Sequence, residues 1–227
     1  CVATADITIQ VQTADIDADR SDDDNIKSIC GPDYTLNPQL PESYDKVYWY
    51  VSGGNGKLVG ATNKTVAING VDVTADFVET VTPKITGLTS SGTTVQLVVI
   101  RGNCTLIDKV TITNDKVTAE ITANPTFVCS ENEVIQLSAS QGTSGKWEKV
   151  DEGDKLGDFT MATDNPYTEY SGIQQGETTT LRWTVRNTLA DGTYCEHDTT
   201  IQITNEGFKA NAGNNVITDC SDSYYMT

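Results

Sequence analysis

Six cysteines are the residues whose type and spacing point most directly to chemistry. They fall into three pairs of similar separation, namely Cys1 with Cys30, Cys104 with Cys129, and Cys195 with Cys220. Because the chain has one histidine and no CxxC pair, disulfides are favoured over a zinc site. Disulfides persist in oxidising compartments, so we expect an exported protein. The alternative is that Cys1 is the lipidated first residue of a mature lipoprotein. Cys1 matches Cys104 and Cys195 in the repeat, which argues against lipidation.

Three pairing schemes are compatible with this repeat. Pairing within each repeat gives Cys30–Cys104 and Cys129–Cys195, and this scheme is the prediction. Pairing across a junction, as in Cys104–Cys129, is disfavoured because consecutive extended strands carry those cysteines far apart. A third scheme joins the first cysteine of one repeat to the second cysteine of the next, as in Cys30–Cys195. This third scheme stays open, because a simple immunoglobulin topology puts the two cysteines of one repeat at opposite ends of the sandwich, which is a difficulty for pairing within a repeat.

An acidic run between residues 15 and 24 suggests a calcium site. The candidate ligands are Asp17, Asp19, Asp22 and Asp23. A strand places alternate carboxylates on one face, and hard cations bind several carboxylate oxygens. The run is not an EF-hand, since Arg20 stands where that loop needs glycine. A solvated acidic loop is the favoured interpretation, because the middle repeat lacks this insertion. No other cofactor is predicted.

Two further residue types could support function. His197 is the only histidine and has no visible serine or metal-site partner, so no catalytic residue is predicted and the chain is not expected to be an enzyme. Trp49, Trp147 and Trp183 could form a sugar-stacking platform. Their positions within alternating strands instead predict packing in a core.

Composition excludes several partner classes. The 227 residues include 15 Lys and Arg against 32 Asp and Glu, a formal net charge of −17. Nucleic acids and anionic membranes require a basic surface, so neither is an expected partner. No stretch of sequence is long and apolar enough to predict a transmembrane segment.

Short alternating segments must position these residues. Strands are predicted at 46–51, 65–68, 77–81, 95–100 and 134–137, and at 181–185, where Leu181, Trp183 and Val185 share one face. Residues 52–56 predict a hairpin turn, and residues 87–93 and 172–178 predict turns between strands. No segment has sustained helical periodicity. The chain is therefore expected to be all-β and built from β-sandwiches of about seven strands.

Matching landmarks divide the chain into tandem repeats. Residues 1–12 are predicted to be the last strand of a preceding repeat, so the sequence begins within an array. Residues 13–116 and 117–207 form two immunoglobulin-like or PKD-like repeats. Residues 208–227 begin a following repeat. Each complete repeat has the size of such a sandwich domain.

The landmarks resemble a known family. A cysteine before a V-x-L strand, a central tryptophan, a glycine-flanked turn, and a second cysteine before a T-I-x-[IV] strand are similar to the Ig-like and PKD-like repeats of Bacteroidota surface proteins. Those proteins include gliding-motility adhesins exported by the type IX secretion system. The segment beginning at Lys209 and Ala210 resembles the opening of such repeats. The PKD hairpin W-x-F-G-D-G is absent here.

The resemblance implies a linear array that acts as a stalk or filament outside the cell, displays adhesive regions and bears load. Its expected partners are neighbouring repeats, surface polysaccharide and outer-membrane anchoring proteins. The alternative is a carbohydrate-binding β-sandwich module of a secreted protein. That alternative requires an exposed aromatic face, so burial of all three tryptophans would remove its main support.

Overall fold

The computed structural model describes residues 15–20 and 25–208. Within these ranges the secondary structure consists of strands, with no helix. The predicted all-β class is therefore confirmed. The predicted strand over residues 1–12 lies outside the described residues, as does the predicted start of a following repeat apart from Phe208.

The chain forms two compact units. Unit 1 consists of the described residues of Cys1–Val117 together with Asn187–Cys195, and unit 2 consists of those of Thr118–Arg186 and Glu196–Thr227. Compactness therefore assigns a short internal segment, 187–195, to unit 1. The repeats predicted from sequence are continuous ranges, whereas these units are defined by contacts between residues. The predicted repeat boundaries therefore stay predictions.

Unit 2 has the seven strands of a constant-type immunoglobulin sandwich in their usual order, and one further short strand, β11, beside the last strand. One sheet has the order β10-β12-β15-β14 and the other β11-β17-β16-β13. The strands are β10 (Ile121–Asn124), β11 (Phe127–Val128), β12 (Ile135–Ala139), β13 (Ser144–Lys149), β14 (Leu156–Phe159), β15 (Tyr167–Ile173), β16 (Thr178–Thr188) and β17 (Tyr194–Asn205). The immunoglobulin-like fold follows from this order alone.

Unit 1 uses the same framework with an addition. Its three-stranded sheet has the order β2-β7-β4, and its six-stranded sheet has the order β1-β9-β8-β3-β6-β5. The strands are β1 (Ile26–Ile29), β2 (Tyr34–Thr35), β3 (Lys46–Gly53), β4 (Lys57–Leu58), β5 (Thr62–Ile68), β6 (Val71–Val78), β7 (Lys84–Thr86), β8 (Thr93–Arg101) and β9 (Cys104–Asn114). The hairpin of β5 and β6 has no counterpart in unit 2.

A short strand runs parallel to the last strand in each unit. β1 pairs with β9 from Ile26 opposite Thr111 to Ile29 opposite Asn114. β11 pairs in the same way with β17, and Val128 lies opposite Asn205. These pairings place the residue after β1 and the residue after β11 beside the end of the last strand.

The cores are built from the alternating residues that the sequence predicts. In unit 1, Trp49 and Leu97 are fully buried and lie opposite each other in β3 and β8. In unit 2 the equivalent pair is Trp147 and Trp183, with ring centroids 5.2 Å apart. Leu181 and Val185 are fully buried on the Trp183 face of β16, which confirms the predicted alternation.

Two details of the strand prediction are wrong. The glycine-rich residues 52–56 do not form a hairpin, because β3 and β4 belong to different sheets and β4 pairs with β7. Leu58 and Ile85, which that pairing aligns, are both buried in the core. The strand predicted at 77–81 ends at Val78, and it is the end of a longer strand that begins at Val71.

Candidate functional site

The strongest candidate site is the disulfide that joins Cys30 to Cys195. Cys30 directly follows β1, and Cys195 is the second residue of β17. Their Cα atoms are 5.3 Å apart, within the usual range for a disulfide. The bond closes a span of 165 residues and lies within unit 1, because the 187–195 segment belongs to that unit.

This bond corrects the predicted within-repeat pairing. Cys104 and Cys129 are exposed free thiols. Cys104 begins β9, whereas Cys30 follows Ile29, which lies opposite Asn114 at the other end of that 11-residue strand. Ten residue steps along a strand span roughly 33 Å, far beyond disulfide reach. The same separation along β17 prevents Cys129 from pairing with Cys195. The scheme that stayed open, Cys30–Cys195, is the one observed.

Polar contacts hold the 187–195 segment around this bond. The Lys27 ammonium lies 3.7 Å from Oδ2 of Asp191. The Asn187 side chain donates a hydrogen bond of 3.1 Å to the backbone oxygen of Asp115. The Thr193 hydroxyl and backbone N–H both donate to Asp191, and these bonds, with a smaller contribution from Lys27, hold the pKa of Asp191 below its usual range. The disulfide is therefore one of several contacts within unit 1.

A shared asparagine arrangement shapes the end of each unit. In unit 1, Asn114 donates to the backbone oxygen of Leu88 over 3.2 Å and accepts from the Lys116 N–H over 3.1 Å. In unit 2, Asn205 donates to the backbone oxygen of Ile173 over 2.6 Å and accepts from the Gly207 N–H over 2.9 Å. These are equivalent positions, since each asparagine is the last residue of the last strand. We refer to the regions around them as the Cys30 end of unit 1 and the Cys129 end of unit 2.

Sequence reasoning missed these asparagines, although a signal was present. Both lie in the repeated segment I-T-N-[DE], which begins at Ile112 and again at Ile203. The following acidic residue makes a matching contact in each unit. The Asp115 N–H donates to the oxygen of Ile29, and the Glu206 N–H donates to the oxygen of Val128.

The Cys129 end of unit 2 carries an open cleft. The cleft has a volume of about 390 Å³ and is lined by residues that include Cys129, Glu131, Lys155, Glu177 and Phe208. The side chain of Phe208 is 86% exposed. Val117 stands at the equivalent position of unit 1, three residues after the asparagine, and is only 6% exposed. The two ends therefore share a backbone arrangement and differ in burial.

The predicted calcium ligands do not form a metal site within the described residues. Oδ1 of Asp17 accepts a hydrogen bond of 2.9 Å from the backbone N–H of Asp19, and Asp19 is fully buried. Nowhere in 15–20 or 25–208 do three His, Cys, Asp or Glu side chains cluster as metal ligands. Asp22 and Asp23 lie outside the described residues, so the choice between a solvated acidic loop, which the sequence favours, and a calcium site stays open.

His197 and the tryptophans are occupied by structural contacts. Nδ1 of His197 accepts a hydrogen bond of 3.0 Å from the backbone N–H of Ala119. Trp49, Trp147 and Trp183 are at most 1% exposed. Each indole N–H donates to a backbone oxygen, those of Thr80, Asn165 and Ser140 respectively. Burial of all three rings confirms the core prediction and removes the main support for a sugar-binding face.

No family model matches the chain, and no curated protein matches it. Solved structures that match include Dpr2 Ig1-Ig2 in complex with DIP-Theta Ig1-Ig3, at 13% identity and a TM-score of 0.29 over 84% of this chain and 64% of that one. Drosophila OTK extracellular domains 3–5 match at 13% identity and a TM-score of 0.40 over 80% of this chain and 58% of that one. Titin domains A168–A170 match at 13% identity and a TM-score of 0.31 over 78% and 62%.

The chain thus spans less than two thirds of the length of these solved proteins. The immunoglobulin-like fold is assigned on the strand order and not on these scores. In the part of the chain that the structure describes, no helix is long and apolar enough to cross a membrane.

Proposed function

We propose that this chain is a segment of a stalk or filament in a large secreted cell-surface adhesin. In this role, tandem immunoglobulin-like domains in a linear array hold adhesive regions away from the cell and carry load. The observation that carries the proposal is the Cys30–Cys195 bond, because of where it lies along the chain. A disulfide also fits an oxidising, extracellular environment.

The bond changes how the chain bears tension. A pull on the two ends passes from the residues before Cys30 through the two sulfur atoms to the residues after Cys195. The 165-residue span between them is then shielded from stretching, even if its domains unfold. A covalent bypass of this kind limits the extension of a stalk under load.

Single-molecule force extension tests the mechanical proposal. With the chain held at its ends, reduction of the disulfide should release the 165-residue span, which adds roughly 550–600 Å of contour length. The oxidised chain should show no such step at any force below bond rupture. The Cys104→Ser chain is the matched control and should behave as the unsubstituted chain does. A step of this length in the oxidised chain at forces below bond rupture would contradict the covalent bypass.

A second test addresses location. Antibodies against the chain should label intact cells of the source, and brief protease treatment of those cells should remove the label. Labelling only after permeabilisation would contradict the proposal. The finer assignment, to Bacteroidota gliding-motility adhesins exported by the type IX system, is supported by the sequence resemblance alone. Further repeats, surface polysaccharide and outer-membrane anchoring proteins are the partners that we propose with it.

A further inference from the structure

We propose that the Cys129 end of unit 2 is a docking and disulfide site for the last β-hairpin of a following copy of the repeat. The occupant has a cysteine at the start of its last strand, and Cys129 bonds to that cysteine. By the same rule, Cys104 is the cysteine that unit 1 offers to a preceding copy. This inference rests on the proposed array, since it requires neighbouring repeats.

The first argument is that Cys30 and Cys129 hold equivalent positions. Each directly follows the short strand that runs parallel to the last strand of its unit. Each lies beside the asparagine arrangement already described, with Asn114 in unit 1 and Asn205 in unit 2. The backbone that presents Cys30 to its disulfide partner is therefore also present around Cys129.

The second argument is that the Cys30 end is filled and the Cys129 end is open. At the Cys30 end, unit 1 holds the 187–195 segment, in which Leu189 and Cys195 are buried. At the Cys129 end there is a cleft of about 390 Å³, and Phe208 on its edge is 86% exposed. Phe127, one residue before Val128, is 49% exposed. These two phenylalanines are exposed at the end of unit 2, whereas the matching end of unit 1 has a buried Val117 and a disulfide-bonded segment.

The third argument is that Cys104 has the position that Cys195 has. Both lie at the start of the last strand of a sandwich, next to the turn that leads into it. Cys104 is paired across that turn with Arg101. In the filled end, the segment that ends at Cys195 contributes a side-chain donor, Asn187, to the backbone oxygen of Asp115. Arg101 offers a side-chain donor beside Cys104.

Charge is compatible with this occupant. The cleft carries the carboxylates of Glu131 and Glu177 and one ammonium, that of Lys155. The hairpin tip that presents Cys104 carries the guanidinium of Arg101. In the filled end an opposite-charge pair, Lys27 with Asp191, accompanies the disulfide, and its Lys27 side chain is 15% exposed.

The bond forms by oxidation of two thiols. A thiolate of one cysteine attacks a disulfide of an oxidant, either a thiol–disulfide oxidoreductase or glutathione disulfide, and forms a mixed disulfide. The second cysteine then displaces the oxidant's sulfur as a thiolate. Overall, the two thiols lose two electrons and two protons, and the oxidant's disulfide is reduced to two thiols.

A tandem fusion of two full chains tests the proposal. In both copies Cys1 and Cys220 are replaced by Ser. The forward fusion carries Cys104→Ser in its first copy and Cys129→Ser in its second, so the first copy keeps Cys129 and the second keeps Cys104. The reversed fusion exchanges these two substitutions. Both fusions have the same composition, linker and number of thiols.

Each fusion is reduced, reoxidised in a glutathione buffer at low protein concentration, alkylated and digested without reduction. Mass spectrometry then measures the peptide that links Cys129 to Cys104. We expect at least a roughly tenfold higher yield from the forward fusion, because the docked order raises the effective concentration of the two thiols. Phe208→Ala in the first copy should reduce that yield, since it removes apolar contact from the docking surface.

The Cys30–Cys195 peptide serves as an internal control in every sample. Equal Cys129–Cys104 yields from the two fusions would overturn the proposal, because they would show random collision. No linked peptide from the forward fusion, with Cys30–Cys195 formed, would overturn it as well. Failure of Cys30–Cys195 to form would remove the template on which the proposal rests. Surface labelling and force extension are separate measurements, so a failed stalk role is distinguishable from a failed docking site.

Discussion

Unit 1 and unit 2 share one framework and fill it differently. In unit 1, Val47 and Leu97 occupy positions of β3 and β8 that Gly145 and Trp183 occupy in β13 and β16. A Cβ atom built on Gly145 would lie 2.2 Å from the Trp183 ring. In unit 2 a glycine and a large indole ring therefore replace two side chains of intermediate size in unit 1. The framework is set by strand order, and core volume is redistributed within it.

The units also differ on the outer face of one sheet. In unit 1 the hairpin of β5 and β6 contributes to a second cluster in which Tyr48, Val66, Ile68, Phe77 and Val98 are buried. That face of β3 and β8 is consequently covered. The difference shows that an immunoglobulin-like repeat can gain a hairpin at a sheet edge without altering the central strand pairing.

The largest expected effect is a difference in the free energy of unfolding between variants of a bonded cysteine and of a free one. Cys195→Ser should lower the free energy of unfolding by about 5 kcal/mol, since the chain-entropy model gives that value for a closed span of 165 residues. Cys104→Ser should leave it nearly unchanged, because that thiol is free and exposed. Urea denaturation of both variants measures the difference. Equal losses would contradict the disulfide assignment.

The redistributed core volume predicts a compensating pair. Gly145→Val should destabilise unit 2 by about 3 kcal/mol, because the new side chain overlaps the Trp183 ring. Adding Trp183→Leu recreates the unit 1 combination and should recover part of that loss. A double-mutant cycle by denaturant unfolding measures the coupling. Additive effects of the two substitutions would contradict the volume exchange.

The asparagine arrangement predicts a smaller and unequal effect. Asn205→Ala should cost about 2 kcal/mol of unfolding free energy, because it leaves the oxygen of Ile173 and the N–H of Gly207 without these partners. Asn114→Ala should cost less, about 1 kcal/mol, since Asn114 is only partly buried. Equal or reversed losses in parallel melts would show that burial does not set the strength of these contacts.

The smallest expected effect is a pH dependence of stability that comes from one buried hydroxyl, that of Tyr170. Tyr170 of unit 2 is fully buried, and its hydroxyl donates to the backbone oxygen of Leu156, whereas Ile85 occupies the corresponding position of unit 1. Burial raises the pKa of Tyr170 above its usual value. Its neutral form is thus favoured in the folded state, so this contribution is complete below about pH 10 and is lost as the pH rises further.

Tyr170→Phe should flatten the loss of stability above pH 10. Thermal melts of both chains between pH 8 and pH 11 measure the slope. An unchanged slope would assign the alkaline sensitivity to other groups.

The hairpin of β5 and β6 was within reach of sequence reasoning. Asn69 and Gly70 both have positive φ values, of 49° and 79°, and stand between two alternating segments. An Asn-Gly pair in that setting is the strongest short signal for a tight hairpin turn. It predicts a strand that begins at Val71, where the structure places one.

The sequence by itself determined where several strands lie and which of their residues face the core. Alternation identified β3, β8 and β16, and the glycine-flanked turns at 87–93 and 172–178 lie between strands as predicted. The three tryptophans are buried because each occupies the inward face of a strand. These properties are local, since side chains of a strand alternate between its two faces whatever the strand pairs with.

Only the tertiary structure decided which cysteines meet. Spacing along the chain favoured Cys30–Cys104, but the parallel pairing of β1 with β9 puts those residues at opposite ends of one strand. A disulfide depends on the positions of two Cα atoms in space, and spacing along the chain does not determine that distance. The same is true of Asn114 and Asn205, whose role depends on which backbone groups the fold leaves beside them.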